Sequence, residues 1–340
     1  KVTDMKIKGL GKRELKVVMV GCGGMSATWL KPLTSIKGVK VAGLVDLRVE
    51  MARKRAEEFG IEGAVIGDRL GDVLKKVRPD IVCDCTVPEA HVSVTCEALK
   101  HGCHVLGEKP LADSMPNARK MLAAARKAGR FYAVMQNRRH APAIRRLREF
   151  LDSGVIGKIH TVHCDFFIGA HFGGFRDKMR HVLLLDMAIH TFDAARFLTR
   201  ADARAVCCKE WNPASSWYAH GASAVGIFEM SDDIVYTYRG SWCAEGLHTT
   251  WESSWRLIGE KGTALWNGDE DIQAQSVTKT GAFFSEVKAS TAPNLDKPDR
   301  FRGHAGLIED FIGCVRTGRE PETVAADNIK SLAMVFGAIE

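Results

Sequence analysis

The sequence predicts a two-domain α/β protein, with an N-terminal doubly wound parallel sheet and a C-terminal α+β domain whose open sheet is predominantly antiparallel. Three observations carry this. Up to residue 135, short apolar runs alternate with helical stretches of 10 to 15 residues, the pattern of parallel strands joined by helical crossovers. From about residue 200, strand-like runs follow one another without helices, and six of the seven Trp lie from position 211 onward. The length, 340 residues, suits two domains at about 150 residues each.

The elements follow in order. Residues 15–20 form an apolar strand, then come a glycine cluster and a helical stretch over 25–36. A second strand over 39–45 leads into a helix over 49–59, stopped by Gly60. The third strand spans 81–86, with a helix over 89–100 ending at Gly102. The fourth spans 104–107, ahead of a helix opening near Ser114 and closing at Gly129, and the fifth spans 131–135. The first domain is therefore expected over 1–135 and the second over 136–340. In the second, strands are expected at 203–211, 222–230, 234–242 and 255–259, with closing helices at 303–315 and 328–339.

Composition removes several classes. The chain is 46% hydrophobic and 26% charged, with a mean hydropathy of −0.10, as in ordinary globular proteins. No segment approaches the roughly 20 apolar residues of a membrane span. Residues 1–16 are basic without an apolar stretch, so no secretory leader is expected. The ten cysteines are scattered and form no C-x-x-C, which reads as reduced, buried thiols in a cytoplasmic protein. The net charge of +7 invites a nucleic-acid reading. Its densest patch, however, holds Arg145, Arg146 and Arg148 on a helix whose apolar positions are Ile144, Leu147 and Leu151. That reads as a solvated helix face, and no nucleic-acid partner is expected.

Chemistry enters with Gly21-Cys22-Gly23-Gly24-Met25-Ser26. Following a strand and opening a helix, this G-x-G-x-x-S run is a variant of the dinucleotide fingerprint of a Rossmann domain. The first glycine permits the tight turn, the second lets backbone approach a pyrophosphate, and the helix N-terminus favours the anion. Asp46 closes the second strand, ahead of Leu47 and Arg48. An acid there accepts ribose hydroxyls and repels a 2′-phosphate, which selects NAD over NADP, with Arg48 working the other way. Capping of the next helix is a second use for the same carboxylate.

Lys109 ends the fourth predicted strand, on the edge where open α/β sheets bind ligands. It suits proton donation or relay at a substrate hydroxyl, or a simple pair with Glu108. Asp186, His190 and Asp193 recur at i, i+4 and i+7, so a helix places them on one face, among Leu183, Leu184, Leu185, Met187 and Ile189. An Asp one turn from a His orients the imidazole as a general base. No further ligand pair at metal spacing accompanies them, and no metal is expected.

Together the glycine loop, Thr86-Val-Pro-Glu-Ala-His91, Gly107-Glu108-Lys109-Pro110, Gln136-Asn137-Arg138 and the Asp186-x-x-x-His190-x-x-Asp193 helix resemble the Gfo/Idh/MocA oxidoreductase family over nearly the whole chain. The E-K-P element is the most specific of these. Arg180-His181 departs from the pattern, replacing glycines that often precede the D-x-x-x-H helix, and the loop over 171–179 points to no single substrate. The resemblance implies an NAD-dependent dehydrogenase acting on a hydroxyl of a sugar or related polyol, a monosaccharide ahead of a cyclitol. It implies His190 as proton acceptor, with Lys109 and Asp186 positioning the substrate and Asn137 and Arg138 near nicotinamide or substrate. It places Thr86, Val87, Pro88, Glu108 and His91 along the cofactor, although helix capping also accounts for His91. Trp242, Trp251, His163, His171 and His248 are candidates for a substrate wall, and Lys109–Pro110 is a candidate cis peptide. An NAD-dependent glycosidase of the same family and a non-catalytic dinucleotide sensor are the rival readings. A homodimer or homotetramer through the C-terminal sheet is expected, with no membrane partner.

Overall fold

The computed structural model describes residues 7–340; the first six residues of the basic opening segment lie outside the described residues. The chain divides into two compact units, Lys1–Asn137 with Arg302–Ile329, and Arg138–Phe301 with Lys330–Glu340.

The first unit is built from β1 (Leu15–Val20), α1 (Ser26–Ser35), β2 (Val39–Val45), α2 (Val49–Glu58), β3 (Val65–Gly67), α3 (Leu70–Val77), β4 (Ile81–Asp84), α4 (Pro88–Lys100), β5 (His104–Gly107), α5 (Met115–Ala128) and β6 (Tyr132–Val134). The six strands form one parallel sheet in the order β3-β2-β1-β4-β5-β6. β1, β4 and β5 are buried on both faces except at Lys16, which is why they read as unbroken apolar runs. α5 starts on the Ser114 hydroxyl, which accepts the Asn117 N–H, and stops at Gly129 in the left-handed region, φ 61°. One strand–helix pair escapes the sequence reading. β3 has three residues and no fully buried side chain, too little apolar signal to register. The strands expected third, fourth and fifth are therefore β4, β5 and β6.

The domain division at 135/136 also needs correcting, because the chain returns to the first unit. α8 (His304–Thr317) buries Leu307, Ile308, Phe311, Ile312 and Val315 in one cluster with Trp29, Leu30 and Leu33 of α1. Val324 bridges Ala133 on β6, and the Val134 N–H donates to the Thr323 carbonyl at 3.0 Å. A cut by sequence position cannot see a later segment complete an earlier core.

The second unit contains α6 (Pro142–Asp152), β7 (Ile159–Phe167), a widened, π-helical turn over Leu183–Ala188 running into α7 (Ile189–Thr199), β8 (Ala203–Trp211), β9 (Ser223–Met230), β10 (Val235–Ser241), β11 (Ser254–Gly259), β12 (Gly262–Trp266), β13 (Ile272–Lys279) and β14 (Glu286–Thr291). The last helix, α9 (Ala325–Ile339), begins in the first unit and ends in the second. The eight strands run β14-β13-β12-β11-β7-β10-β9-β8, antiparallel except for the parallel β7–β10 pair. β7, central to this sheet, was not anticipated. Its alternation puts Val162, Cys164 and Phe166 inward but His163 and Asp165 outward, so it lacks an apolar run. On the inner face, Phe192 of α7 packs edge-on against Phe228, Tyr236 and Tyr238, with ring centroids 4.8, 6.3 and 5.2 Å away. Among the described residues no helix is long and apolar enough to cross a membrane.

Candidate active site

In the first unit the loops that follow β1, β4 and β5 share the carboxyl edge of the parallel sheet. Gly21 has φ +83°, and a Cβ there would lie 2.5 Å from the Cys85 carbonyl oxygen, so only glycine passes. At Gly23 and Gly24 an added Cβ would meet nothing within 4 Å. The Cys22 thiol is buried, and its N–H donates to Oδ2 of Asp46 at 2.8 Å. Burial, then the Asp46 charge, pushes that thiol up to about 12. The Cys22 side chain packs beneath the loop, and its backbone N–H ties the loop to the end of β2. Oδ1 of Asp46 accepts the Arg48 N–H, also at 2.8 Å. The Asp46 side chain therefore braces the following helix and the glycine loop together, and a carboxylate with about four acceptor positions still has room for ribose hydroxyls. Met25, Leu47 and Val87 are 46, 91 and 63% exposed. They are the large apolar side chains that this unit leaves in solvent among the described residues, and all three lie on loops at the carboxyl edge of the sheet.

The loop after β4 is fastened to the loop after β5. The Thr86 hydroxyl donates to Oδ1 of the buried Asp84 at 2.6 Å, and Pro88 opens α4. His91 is buried, with Nδ1 3.0 Å from the Pro110 carbonyl and Nε2 3.1 Å from the Thr86 carbonyl. It ties the two loops from beneath, and so corrects the expectation of a residue lining the cofactor. Glu108 is also buried. Its carboxylate accepts the Trp29 indole N–H at 3.0 Å and the Lys109 N–H at 2.9 Å. Burial raises its carboxyl above the usual carboxylate range, against the pull of Lys109. Lys109 follows, half-buried, before a cis peptide to Pro110. His304, at the start of α8, was not anticipated: burial and the Lys109 charge push its imidazole down to about 4. Asn137 closes the first unit, half-buried, at the start of the short turn Asn137–His140.

In the second unit the widened turn carries Asp186, and α7 carries His190, which is 8% exposed. Arg176, from the loop before the turn, donates through Nε to Oδ2 of Asp186 at 2.5 Å. Its guanidinium lies over the rings of Phe172 and Phe175, 5.0 and 4.7 Å from their centroids. Phe172 in turn meets Trp242 at 5.4 Å and Trp251 at 6.1 Å. Arg138 donates to the Trp251 carbonyl and to Oε2 of Glu252, the latter at 3.3 Å. Asp186, Arg138, Trp242 and Trp251 thus belong to one cluster, together with Arg176, Phe172 and Phe175, which the sequence reading left unassigned.

Other expectations change. Asp193 does not join Asp186 and His190, because it is buried against Arg139. His163 sits on the outward sheet face, with Nδ1 2.5 Å from the Thr237 hydroxyl, whereas α7 packs on the inward face. The pleat therefore removes His163 from the substrate group. His171 stacks on Trp217 at 3.6 Å and bonds Glu245 at 2.8 Å, and His248 accepts the Gly169 N–H at 3.2 Å.

Family models describe the two halves: the oxidoreductase family's NAD-binding Rossmann fold matches residues 15–136, and the GFO/IDH/MocA C-terminal domain matches residues 144–265. The chain belongs to the Gfo/Idh/MocA oxidoreductase family. The D-apiose dehydrogenase of Paraburkholderia graminis is 24% identical to this oxidoreductase over 95% of the chain and 86% of that protein. The myo-inositol 2-dehydrogenase of Thermotoga maritima is 24% identical over 95% of each. An Agrobacterium radiobacter oxidoreductase, solved in complex with NAD+, L-tartaric acid and magnesium, superposes with a TM-score of 0.85 at 19% identity, covering 96% of this chain and 97% of that one.

The cradle of this Gfo/Idh/MocA protein fits NAD: glycine where a Cβ would strike backbone, open space above Gly23 and Gly24, and a braced acid ending β2. Asp46→Ser is accordingly expected to raise the KM for NAD about 10- to 100-fold, the loss of one or two charge-assisted hydrogen bonds, and to raise the use of NADP relative to NAD. Steady-state kinetics with both cofactors measures this; an unchanged KM would mean that the ribose is held elsewhere.

Proposed function

We propose that this oxidoreductase oxidises a hydroxyl of a sugar or related polyol, a monosaccharide ahead of a cyclitol, with NAD as cofactor. The observation that carries the proposal is the placement of Lys109. Glu108 is locked by the Trp29 indole N–H and accepts the Lys109 N–H, which fixes the backbone from which the lysine projects at the ligand edge of a dinucleotide-binding sheet. Bound NAD supplies the hydride acceptor. The glycine loop and Asp46 would hold it, with Met25, Leu47 and Val87 giving it apolar cover.

The protein's own part is orientation and proton handling. Lys109 donates a hydrogen bond to the reacting oxygen, and the buried His190 accepts the hydroxyl proton. Asp186, held by Arg176, orients a neighbouring hydroxyl. The half-exposed rings of Phe172 and Trp251 offer apolar faces to the C–H side of a sugar ring. The relatives named D-apiose dehydrogenase and myo-inositol 2-dehydrogenase support the polyol class, and the former supports putting monosaccharides first. A panel of sugars, sugar acids and cyclitols, each with NAD+ and NADP+, tests this by NADH absorbance. Stoichiometric NADH with a monosaccharide is expected. Glycoside cleavage without net NADH would instead establish the glycosidase.

The reading includes a cytoplasmic setting, supported by ten free thiols. It also includes a homodimer or homotetramer on the outward sheet face, where Val225, Ile227, Val235 and Leu265 are exposed at 38, 50, 40 and 41%. Ile227→Asp is expected to reduce the mass by light scattering to that of one chain; an unchanged mass would place the interface elsewhere.

A further inference from the structure

Ser26 stands where the dinucleotide fingerprint has its third glycine, and it is fully buried. Its hydroxyl donates to the Gly23 carbonyl oxygen at 2.7 Å. That carbonyl accepts a second bond, at 2.9 Å, from Nη2 of Arg55 on α2, whose Nε donates to the Ser26 hydroxyl at 3.1 Å. Nη1 of Arg55 pairs with Glu58, and the Arg55 side chain is 13% exposed. The guanidinium fork is therefore spent on fixed partners beneath the glycine loop. The Gly21–Cys22 peptide of the same loop is held from the β2–α2 segment as well, since Asp46 accepts the Cys22 N–H.

Gly23 C=O and Gly24 N–H belong to one planar trans peptide and point in opposite directions. Holding the carbonyl toward α2 turns the Gly24 N–H away from it, in a loop where an added Cβ on Gly23 or Gly24 would meet nothing within 4 Å. We infer that Arg55 and Ser26 form a latch that orients the Gly23–Gly24 peptide for the cofactor pyrophosphate. Both are positioning residues: they act through the loop, and Arg55 does so from a helix outside the fingerprint. The two-point grip needs a planar fork with donors at fixed spacing, which a single ammonium on a flexible stem does not reproduce.

The test is direct binding of NADH, ADP-ribose and adenosine to the full chain by calorimetry. Arg55→Met and Arg55→Lys are each expected to weaken NADH and ADP-ribose about tenfold, the scale of one charge-assisted hydrogen bond. Adenosine, which has no phosphate, should stay within about twofold. Ser26→Ala should cost about threefold alone and nothing further in the Arg55→Met background, because the two side chains act as one unit. Wild-type affinity in Arg55→Lys would overturn the latch in favour of simple charge attraction. NADH binding within twofold in a folded Arg55→Met variant, or an equal loss of adenosine, would overturn it outright. Should Arg55→Met fail to fold, Ser26→Ala decides alone: wild-type affinity there removes the latch. A shifted Gly24 amide resonance in Ser26→Ala is the expected spectroscopic sign.

Discussion

Replacing Lys109 by methionine is expected to lower kcat by about two to four orders of magnitude, the usual contribution of a positioned proton-transfer group, while NADH binding changes only a few-fold. The separation follows from how the strand end is built. The Glu108 carboxylate takes the Trp29 indole N–H and the Lys109 N–H, and the Glu108 N–H donates to the Asp84 carbonyl at 2.8 Å, three bonds that hold this backbone through groups other than the ammonium. Methionine keeps the stem and loses only the ammonium. The neighbouring imidazole supplies an internal check. Burial and the Lys109 charge together push His304 down to about 4. Removing the cation withdraws a repulsion that disfavours the imidazolium, so the His304 midpoint should rise in a proton NMR titration. A kcat within tenfold of wild type would remove Lys109 from the chemistry. A raised His304 midpoint in the same variant would show that the substitution had nonetheless taken the charge out of the site.

What the sequence made legible was local. The glycine loop, Asp46 and the E-K-P element are each read within a few residues, because strand, turn and helix N-terminus are consecutive and their geometry depends on near neighbours. β3 stayed hidden because three half-buried residues carry no periodicity, and β7 because its inward Val162, Cys164 and Phe166 alternate with His163 and Asp165. The return of α8 to the first core is a contact across hundreds of residues. The supports of the site fall in the same class. Arg55 reaches Ser26 from 29 positions away, and Glu108 reaches Trp29 from 79. Arg176 reaches Asp186 from only 10, yet through an irregular loop that no pattern describes. Helical spacing put Asp186, His190 and Asp193 on one face, and the structure commits the last of them to Arg139 instead. Spacing along the chain cannot show that an arginine 54 positions away claims the third.

That third residue carries the second large effect. Asp193→Ala is expected to destabilise the second unit by about 3–5 kcal/mol, the cost of removing one partner of a buried ion pair. Arg139 meets both Asp193 carboxylate oxygens, Nε at 2.6 Å and Nη2 at 2.7 Å, and the Ser331 hydroxyl adds a third bond at 2.7 Å. The two side chains are 8 and 3% exposed, so water cannot compensate when the carboxylate goes, and Arg196 stands close by, donating to the same Ser331 hydroxyl at 2.8 Å. Asp193→Asn keeps the shape and half the acceptors and should fall between the two. The joint replacement Arg139→Met with Asp193→Leu should recover much of the loss, since a buried pair exchanged for apolar groups of similar volume is often close to neutral. Urea unfolding read by tryptophan fluorescence measures all three. A catalytic Asp193 would behave in the opposite way, with Asp193→Asn unfolding at the wild-type midpoint and kcat collapsing. The structural role predicts a lowered midpoint with kcat per folded molecule largely kept, because the carboxylate faces Arg139 and Ser331 rather than the Asp186 cluster.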